Sequence, residues 1–419
     1  MPSSKEFIDM DNEYCAHNYH PIPAVISRAE GVWVYDPEGN KYLDCLSAYS
    51  SQNIGHCHPE IIAALKEQAD TVTLTSRAFH NDKMGPFLKM LAEVVGPHIY
   101  DPNKAGIMSI PMNTGTEAVS TGLKVARAWG YIKKKIPKNE AIIIVCRNNF
   151  HGRTITISGF SSNISAVRYY GNFGPYTPGF IIISYGDAKE LENVILEKGP
   201  EKVAAFLFEP IQGEAGVNVP PEGYLTKVRE ICTKYNILMV LDEIQTGFCR
   251  TGKLFACEHE DVKPDVLLLG KALGGGIYPV SAVVTTKDIV GPEVIKPGTH
   301  GSTFGGNPLA SAVAMKSIEI HLRENLAERA QEMGAYFVKR LKEIAEKRTK
   351  IPIKEVRGKG LLIAVEFSED ARQIVEDLKN NGILAKDTHS TSIRFAPPLV
   401  ITREEIDWAI EVIEKVLIV

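Results

Sequence analysis

Short apolar runs alternate with helical segments through the middle of the chain. A helical stripe at positions 119, 123, 126 and 130 is followed by continuous apolar runs at 141–146, 180–184, 204–208, 238–241, 266–269 and 281–285. Runs of this length are typical of strands buried on both faces, and helices between such strands indicate parallel pairing. The pattern therefore predicts an α/β fold in which helices cover both faces of a mainly parallel sheet.

The two ends of the chain show a different pattern. The opening stretch to residue 23 has little periodicity and is expected to wrap over other elements. The further predicted elements are a strand–turn–strand at 32–45, a helix opened by His58-Pro59, a helical stretch from 308 to about 347 that is broken near 325, strands at 356–367 and 392–395, and a last helix. That last helix begins at Thr402, because Thr402 and Glu405 form a capping-box pattern.

A chain of 419 residues is too long for one ordinary hydrophobic core, so at least two domains are expected. We predict a large domain at 56–305, and a smaller α/β domain that combines an N-terminal segment, 1–55, with the C-terminal part, 306–419. Apolar residues make up 44% of the chain and charged residues 23%, which is typical of globular proteins.

The charge and cysteine content restrict the partners and the compartment. A net charge of −4 over this length indicates neither a nucleic-acid partner nor a membrane surface, and no apolar stretch approaches the roughly 20 residues of a membrane helix. The N-terminus lacks the features of a signal or transit peptide. Seven dispersed cysteines without CxxC spacing are typical of reduced thiols, so a cytoplasmic location is expected. No metal ligand set is expected.

Two polar residues stand at the ends of predicted buried strands. Lys271 follows the run 266–269 after one glycine and precedes three further glycines, and Asp242 directly follows the run 238–241. A lysine in a low-dielectric cleft is more readily neutral and nucleophilic, and a carboxylate that faces a pyridine nitrogen keeps that nitrogen protonated. Taken singly, such a lysine is more often structural, and such an aspartate is more often a helix cap or an ion-pair partner.

A turn and an aromatic residue add the remaining parts of a cofactor site. The segment 113–117 opens a helix at Gly115 and Thr116, and backbone N–H groups at a helix N-terminus bind phosphate. This turn can also be a plain helix cap. Phe150 can stack on a ring or fill the core. Together with Lys271 and Asp242, these residues supply each part of a pyridoxal phosphate site.

The order of these segments resembles the class III aminotransferase family. LDEIQTGFCRTG followed by PDVLLLGKALGGG is similar to the family signature around the cofactor lysine, and NTGTEA, HGR, FEPIQGEAGV and HGSTFGGNP follow its other landmarks over nearly the whole chain. The resemblance implies fold type I with a mainly parallel seven-stranded sheet, pyridoxal 5'-phosphate as cofactor, and a homodimer with active sites at the subunit interface.

The resemblance also assigns cofactor contacts. Lys271 would be the Schiff-base lysine and Asp242 the partner of the pyridinium nitrogen. Phe150 would stack on the ring, and Gln245 would approach the ring hydroxyl.

Three further residues would hold the cofactor phosphate. Gly115 and Thr116 would bind it through their backbone, and Thr303 would reach the phosphate of the neighbouring subunit's cofactor.

Further segments, at 16–23, 46–61, 73–79 and 393–400, resemble the members of the family that use ornithine as the amino donor. In those members, the residues equivalent to Tyr19 and Arg153 hold the α-amino and α-carboxylate groups, and the equivalent of Tyr49 favours this donor. Glu214 and Arg394 resemble a switch pair that closes in one half-reaction and frees the arginine for a carboxylate of the second substrate, 2-oxoglutarate, in the other.

The resemblance allows more than one amino donor. N-acetylornithine and 4-aminobutyrate are the alternatives within the family, and Tyr19 and Tyr49 argue against both. His151 stands where some ornithine-using members carry tryptophan and many other members carry histidine. A mutase or decarboxylase of the same fold is disfavoured, because two carboxylate-binding arginines suit a transfer between two substrates.

Overall fold

A seven-stranded sheet forms the centre of the protein, whose computed structural model describes residues 2–162 and 172–419. Its strand order is β4-β10-β9-β8-β7-β5-β6. β10 runs in the direction opposite to the other six strands of this sheet. These strands are β4 (Ile107–Met112), β5 (Ile142–Cys146), β6 (Phe180–Ile183), β7 (Val203–Phe208), β8 (Leu238–Asp242), β9 (Val266–Leu269) and β10 (Ser281–Thr286). The predicted α/β fold with a mainly parallel sheet is therefore confirmed.

Helices cover both faces of this sheet. Besides a short helical turn at Ser47–Ser50, the α-helices in the described part of the chain are α1 (Ser4–Tyr14), α2 (Pro59–Ala69), α3 (Met84–Val94), α4 (Gly115–Ile132), α5 (Ile155–Ser158), α6 (Ala188–Lys198), α7 (Tyr224–Lys234), α8 (Lys287–Val290), α9 (Pro308–Arg323), α10 (Leu326–Ala345), α11 (Arg372–Asn380) and α12 (Arg403–Leu417). β7, β8, β9 and β10 are buried along their whole length, as expected for strands packed on both faces. None of the helices described here is both long and apolar enough to cross a membrane.

The N-terminal segment and the C-terminal part share a second sheet. Strands β1 (Arg28–Glu30), β2 (Trp33–Tyr35) and β3 (Lys41–Asp44) form a meander, and β13 (Ile383–Leu384) pairs with β3 in parallel. This pairing brings the two ends of the chain together. The domain boundaries given above stay a prediction.

A third sheet has the order β11-β12-β15-β14. Its strands are β11 (Ile353–Lys359), β12 (Leu362–Phe367), β14 (Lys386–Thr388) and β15 (Ser392–Phe395). The prediction of one strand at 356–367 was wrong, because the chain reverses at Gly360, whose φ of 54° suits a turn residue without a side chain. β11 and β12 pair antiparallel through this turn.

The opening stretch also differs from the prediction. Residues Ser4–Tyr14 form α1, and none of them is buried. A helix that packs no face into the core needs no apolar stripe, so its sequence lacks the periodicity on which the prediction depended. Its local signal is the capping box between Ser3 and Glu6.

Several predicted helix boundaries are confirmed. Pro59 occupies the first turn of α2. The long C-terminal helical stretch breaks between α9 and α10 at Asn325, which has a φ of 50°. Thr402 and Glu405 form the capping box that begins α12.

Gly334 is expected to be intolerant of a side chain, although it lies inside α10. A Cβ atom at Gly334 would lie 2.0 Å from the carbonyl oxygen of Gly360. Gly334→Ala is therefore expected to destabilise the protein by about 1–3 kcal/mol through overpacking, measured as a lower Tm.

Ala335, an exposed neighbour in α10, provides the control for this substitution. Ala335→Gly reports helix propensity alone, which costs about 0.5–1 kcal/mol. If Gly334→Ala instead raised Tm, as propensity alone predicts, the close packing of α10 on the turn at Gly360 would be refuted.

Candidate active site

A cavity of about 190 Å³ lies at the carboxyl edge of the central sheet. We call it the cofactor cavity, and it is lined by Gly115, Thr116, Phe150, His151, Gly152, Glu209, Ile211, Glu214, Asp242, Ile244, Gln245, Thr246 and Lys271. The polar lining residues follow different parallel strands, which end at the same edge. The sheet therefore brings together residues that are far apart in the sequence.

Lys271 stands where the sequence predicted it, two residues beyond β9. Its backbone has a φ of 45°, in the left-handed region, and its side chain is partly exposed towards the cavity. Burial lowers the pKa of the Lys271 amine to about 8, although Glu214 favours the charged form. The amine is thus neutral in a substantial fraction of molecules near pH 8, which is the form that attacks a carbonyl carbon.

Asp242 ends β8 and is 4% exposed. Its Oδ2 lies 2.7 Å from Nδ1 of His151, and its Oδ1 accepts a hydrogen bond from the backbone N–H of Ile244. The His151 Nε2 atom is buried without a hydrogen-bond partner among the described residues. His151 therefore backs the carboxylate that lines the cavity, a role that sequence reasoning did not assign.

The N-terminus of α4 forms one end of the cavity. Thr114 caps the helix together with Glu117. The hydroxyl of Thr116 is buried and lacks a hydrogen-bond partner within residues 2–162 and 172–419. A Cβ atom at Gly152 would lie 2.3 Å from that hydroxyl, so only glycine permits this close approach. An unpartnered hydroxyl at a helix N-terminus suits an anionic group such as phosphate.

Phe150 and Glu209 lie together in the cavity wall. The Glu209 carboxylate accepts the backbone N–H of Phe150 at 3.1 Å. Burial, with a further contribution from Asp242, raises the pKa of Glu209 well above its ordinary value. No role was predicted for Glu209 from the sequence either, although Glu209 directly follows β7 and Asp242 is the last residue of the neighbouring strand β8.

Glu214 and Arg394 form the predicted pair inside the protein. Arg394 Nη1 lies 2.7 Å from Glu214 Oε1, and the Arg394 side chain is only 2% exposed. Burial alone would raise the pKa of Glu214, but Arg394 and Lys271 lower it to about 2. The carboxylate is therefore charged at any pH at which the protein is used. The Gln245 amide also donates to Glu214 Oε1, at 2.9 Å.

The predicted substrate residues stand beside this pair. The Arg394 guanidinium lies 5.2 Å from the centre of the Tyr49 ring. The Arg153 guanidinium is exposed and lies 5.0 Å from the Tyr19 ring and 5.9 Å from the Phe150 ring. Tyr19 is itself 62% exposed. Arg394 is thus buried and paired with Glu214. Arg153 is exposed and lies near the ring of Phe150, which lines the cavity.

Thr303 is the one predicted cofactor residue outside the cavity lining. It is exposed, and the hydroxyl of its neighbour Ser302 accepts a hydrogen bond of 2.9 Å from Asn113. A contact with a second subunit's cofactor stays a prediction, and so do the other residue roles.

The residues of the cavity fit pyridoxal phosphate. The unpartnered hydroxyl of Thr116 at the start of α4 suits the phosphate, and Asp242 with His151 behind it supplies a carboxylate for the pyridine nitrogen. Lys271 supplies an amine of lowered pKa. Together with the fold type I sheet, these features define a pyridoxal-phosphate-dependent enzyme.

The chain belongs to the class III aminotransferase family. The family model described as aminotransferase class-III matches residues 14–417, so the match extends over both ends of the chain as well as the central sheet. The protein is thus an enzyme that transfers amino groups with pyridoxal phosphate.

Three relatives illustrate the similarity. An ornithine aminotransferase of Brevibacillus brevis is 54% identical over 417 residues, with 100% of this chain and 99% of the relative covered. The crystal structure of the ornithine aminotransferase from Toxoplasma gondii is 47% identical with a TM-score of 0.93, and covers 99% of this chain and 95% of that one. An acetylornithine aminotransferase structure from Elizabethkingia anophelis is 48% identical with a TM-score of 0.87, and covers 99% of both chains.

Proposed function

We propose that this protein is an ornithine aminotransferase, which transfers the δ-amino group of L-ornithine to 2-oxoglutarate and gives L-glutamate 5-semialdehyde and L-glutamate. The observation that carries the proposal is the 2.7 Å ion pair between Arg394 and Glu214, a residue that lines the cofactor cavity. The names of the most similar relatives support the same activity.

The ion pair explains how ornithine reacts through its distal amine. While Glu214 neutralises Arg394, the Arg394 guanidinium beside Tyr49 does not attract the α-carboxylate of the donor. Arg153 then binds that carboxylate on the exposed side, and an arginine fork fixes its orientation as well as its position. The α-carboxylate is thereby held away from Lys271, and the δ-amine extends towards it.

The second substrate, 2-oxoglutarate, requires that the ion pair of Glu214 and Arg394 be open. 2-Oxoglutarate reacts at its α-keto carbon, so its α-carboxylate must be held close to the reacting centre. Arg394 is buried beside Gln245 and Tyr49 and can bind this carboxylate when Glu214 withdraws. The pair thus serves as a switch between a donor that reacts far from its carboxylate and an acceptor that reacts next to it.

The chain's own residues then handle the protons. Bound pyridoxal phosphate supplies an electron sink for the carbon that bears the nitrogen. Lys271 Nζ, neutral in a substantial fraction of molecules near pH 8, would accept the proton from the substrate carbon and would move it to the bound cofactor. Asp242, whose Oδ2 lies 2.7 Å from His151 Nδ1, would be the carboxylate that holds the pyridine nitrogen of the bound cofactor.

A panel of amino donors tests the proposal. The purified protein with cofactor and 2-oxoglutarate is expected to form glutamate 5-semialdehyde from ornithine, with a higher kcat/KM than for N-acetylornithine or 4-aminobutyrate. A preference for N-acetylornithine would instead assign the activity named for the Elizabethkingia anophelis relative and would refute the proposal.

Cofactor uptake by the cofactor-free protein is expected to depend on pH through Lys271. Raising the pH removes the proton from the amine, and the lowered pKa of about 8 sets the midpoint. The initial uptake rate, followed by absorbance, should rise roughly tenfold per unit at lower pH and level off above about 8. A rate that still rises towards the ordinary pKa of 10.5 would contradict this assignment.

We also infer from the dispersed cysteines that the protein works in the cytoplasm.

We further infer that the protein acts as a homodimer with active sites at the subunit interface. The large exposed apolar side chains Phe79 and Phe304 support an interface, and Phe304 adjoins Thr303. Analytical ultracentrifugation is expected to give twice the 46.1 kDa mass of the chain. A monomer that is fully active would exclude the role of Thr303 in a neighbouring subunit's site.

A further inference from the structure

Gln245 makes a direct contact with the Glu214–Arg394 pair. Its Nε2 donates to Glu214 Oε1 at 2.9 Å, and the same oxygen accepts Arg394 Nη1 at 2.7 Å. The Gln245 Oε1 atom lies 3.5 Å from Arg394 Nη1. The glutamine therefore contacts both members of the pair, in the state in which the pair is closed.

Gly213 provides the space that this glutamine occupies. A Cβ atom at Gly213 would lie 1.4 Å from Gln245 Oε1 and 2.6 Å from its Cδ, and the third-nearest atom also belongs to Gln245. The φ of Gly213 lies outside the left-handed region, so its backbone accepts an alanine. A methyl group at 213 would thus act on the glutamine.

The backbone around Gly213 cannot easily move aside. The Gly213 carbonyl accepts the N–H groups of Gly216 and Val217, and the next carbonyl, of Glu214, accepts the hydroxyl of Thr388. The Gln245 amide is the far end of a flexible side chain, so it would yield first. Gly213→Ala should therefore remove Gln245 from Glu214 and leave the loop in place.

We propose that Gly213 and Gln245 are specificity-determining residues, because the gap at Gly213 lets the Gln245 amide hold Glu214 closed over Arg394. The hydrogen bond exists in the closed state and is lost when Glu214 withdraws, so it favours the closed state. Gln245 is in this respect a positioning residue that acts through Glu214. The choice of ornithine and glutamate as the amino donors to compare rests on the proposed function. The expected change in the binding of a carboxylate to Arg394 does not.

The expected effect is a shift towards ligands that need Arg394. A hydrogen bond to a charged group changes an equilibrium by roughly tenfold. Without it, glutarate, a dicarboxylate, should bind roughly tenfold more tightly, and glutamate should gain against ornithine as the amino donor by a similar factor.

Isothermal titration calorimetry with glutarate tests the proposal on the full chain with bound cofactor. Gly213→Ala, Gln245→Ala and Gln245→Met are each expected to tighten binding roughly tenfold, and the last keeps the side-chain length but removes the donor. The double variant Gly213→Ala/Gln245→Ala should bind no tighter than Gln245→Ala, because the methyl group then has no amide to displace. Thermal melting reports whether each variant folds.

Several outcomes would overturn the proposal. Unchanged or weaker glutarate binding in a folded Gly213→Ala variant would do so, and so would additive effects in the double variant. If Gly213→Ala failed to fold, unchanged glutarate binding in Gln245→Met would be decisive. Tighter glutarate binding in a protein that does not use ornithine would support the proposal and remove the proposed function instead.

Discussion

Lys271→Ala is expected to abolish steady-state turnover. Proton transfer by a positioned side chain alone contributes roughly 10²–10⁴-fold, and Lys271 is the lysine of the cofactor cavity with a lowered pKa. The measurement is kcat for ornithine and 2-oxoglutarate with saturating cofactor, together with the cofactor absorbance of the purified variant, which should match that of free cofactor.

Lys339→Ala is the control for this substitution, because the Lys339 side chain is 74% exposed. It should retain the parental kcat and the parental cofactor absorbance. A Lys271→Ala variant with normal turnover would remove this residue from the mechanism.

Glu214→Ala is expected to shift the donor preference towards glutamate. The substitution leaves Arg394 buried without its carboxylate, so the guanidinium becomes free to bind the α-carboxylate of an amino donor. Close charge pairs of this kind have coupling energies upwards of about 1.5 kcal/mol, so the ratio of the half-reaction rates for glutamate and ornithine should rise roughly tenfold or more.

The surface pair of Glu60 and Arg323 provides a matched control. Glu60→Ala also removes the carboxylate of an ion pair with arginine, but neither Glu60 nor Arg323 lines the cofactor cavity, so the ratio of rates should stay unchanged. An unchanged ratio in Glu214→Ala would show that the pair does not work as a switch.

The central sheet could be predicted from the sequence because its strands are buried on both faces. Burial of this kind leaves continuous apolar runs, and these mark every strand of the central sheet except β4. β4 was missed because its sequence, IMSIPM, contains a serine and a proline and is only partly buried. The turn at Gly360 was missed because the apolar residues of β12 follow it directly, so the sequence reads as one continuous strand.

The candidate site could be predicted in part, for a related reason. Lys271 and Asp242 stand at or just beyond the carboxyl ends of recognisable strands, so their common edge was deducible from topology. The contacts of His151 with Asp242 and of Gln245 with Glu214 join residues 91 and 31 positions apart. No local pattern specifies such contacts, because they depend on how loops from different strands pack against each other.

Borohydride reduction followed by peptide mapping identifies the lysine that forms the imine with the cofactor. The holoenzyme is reduced, digested and analysed by mass spectrometry for the peptide that carries the cofactor. We expect a single modified residue, Lys271. Modification of another lysine, or a fully active enzyme with no modified peptide, would contradict it.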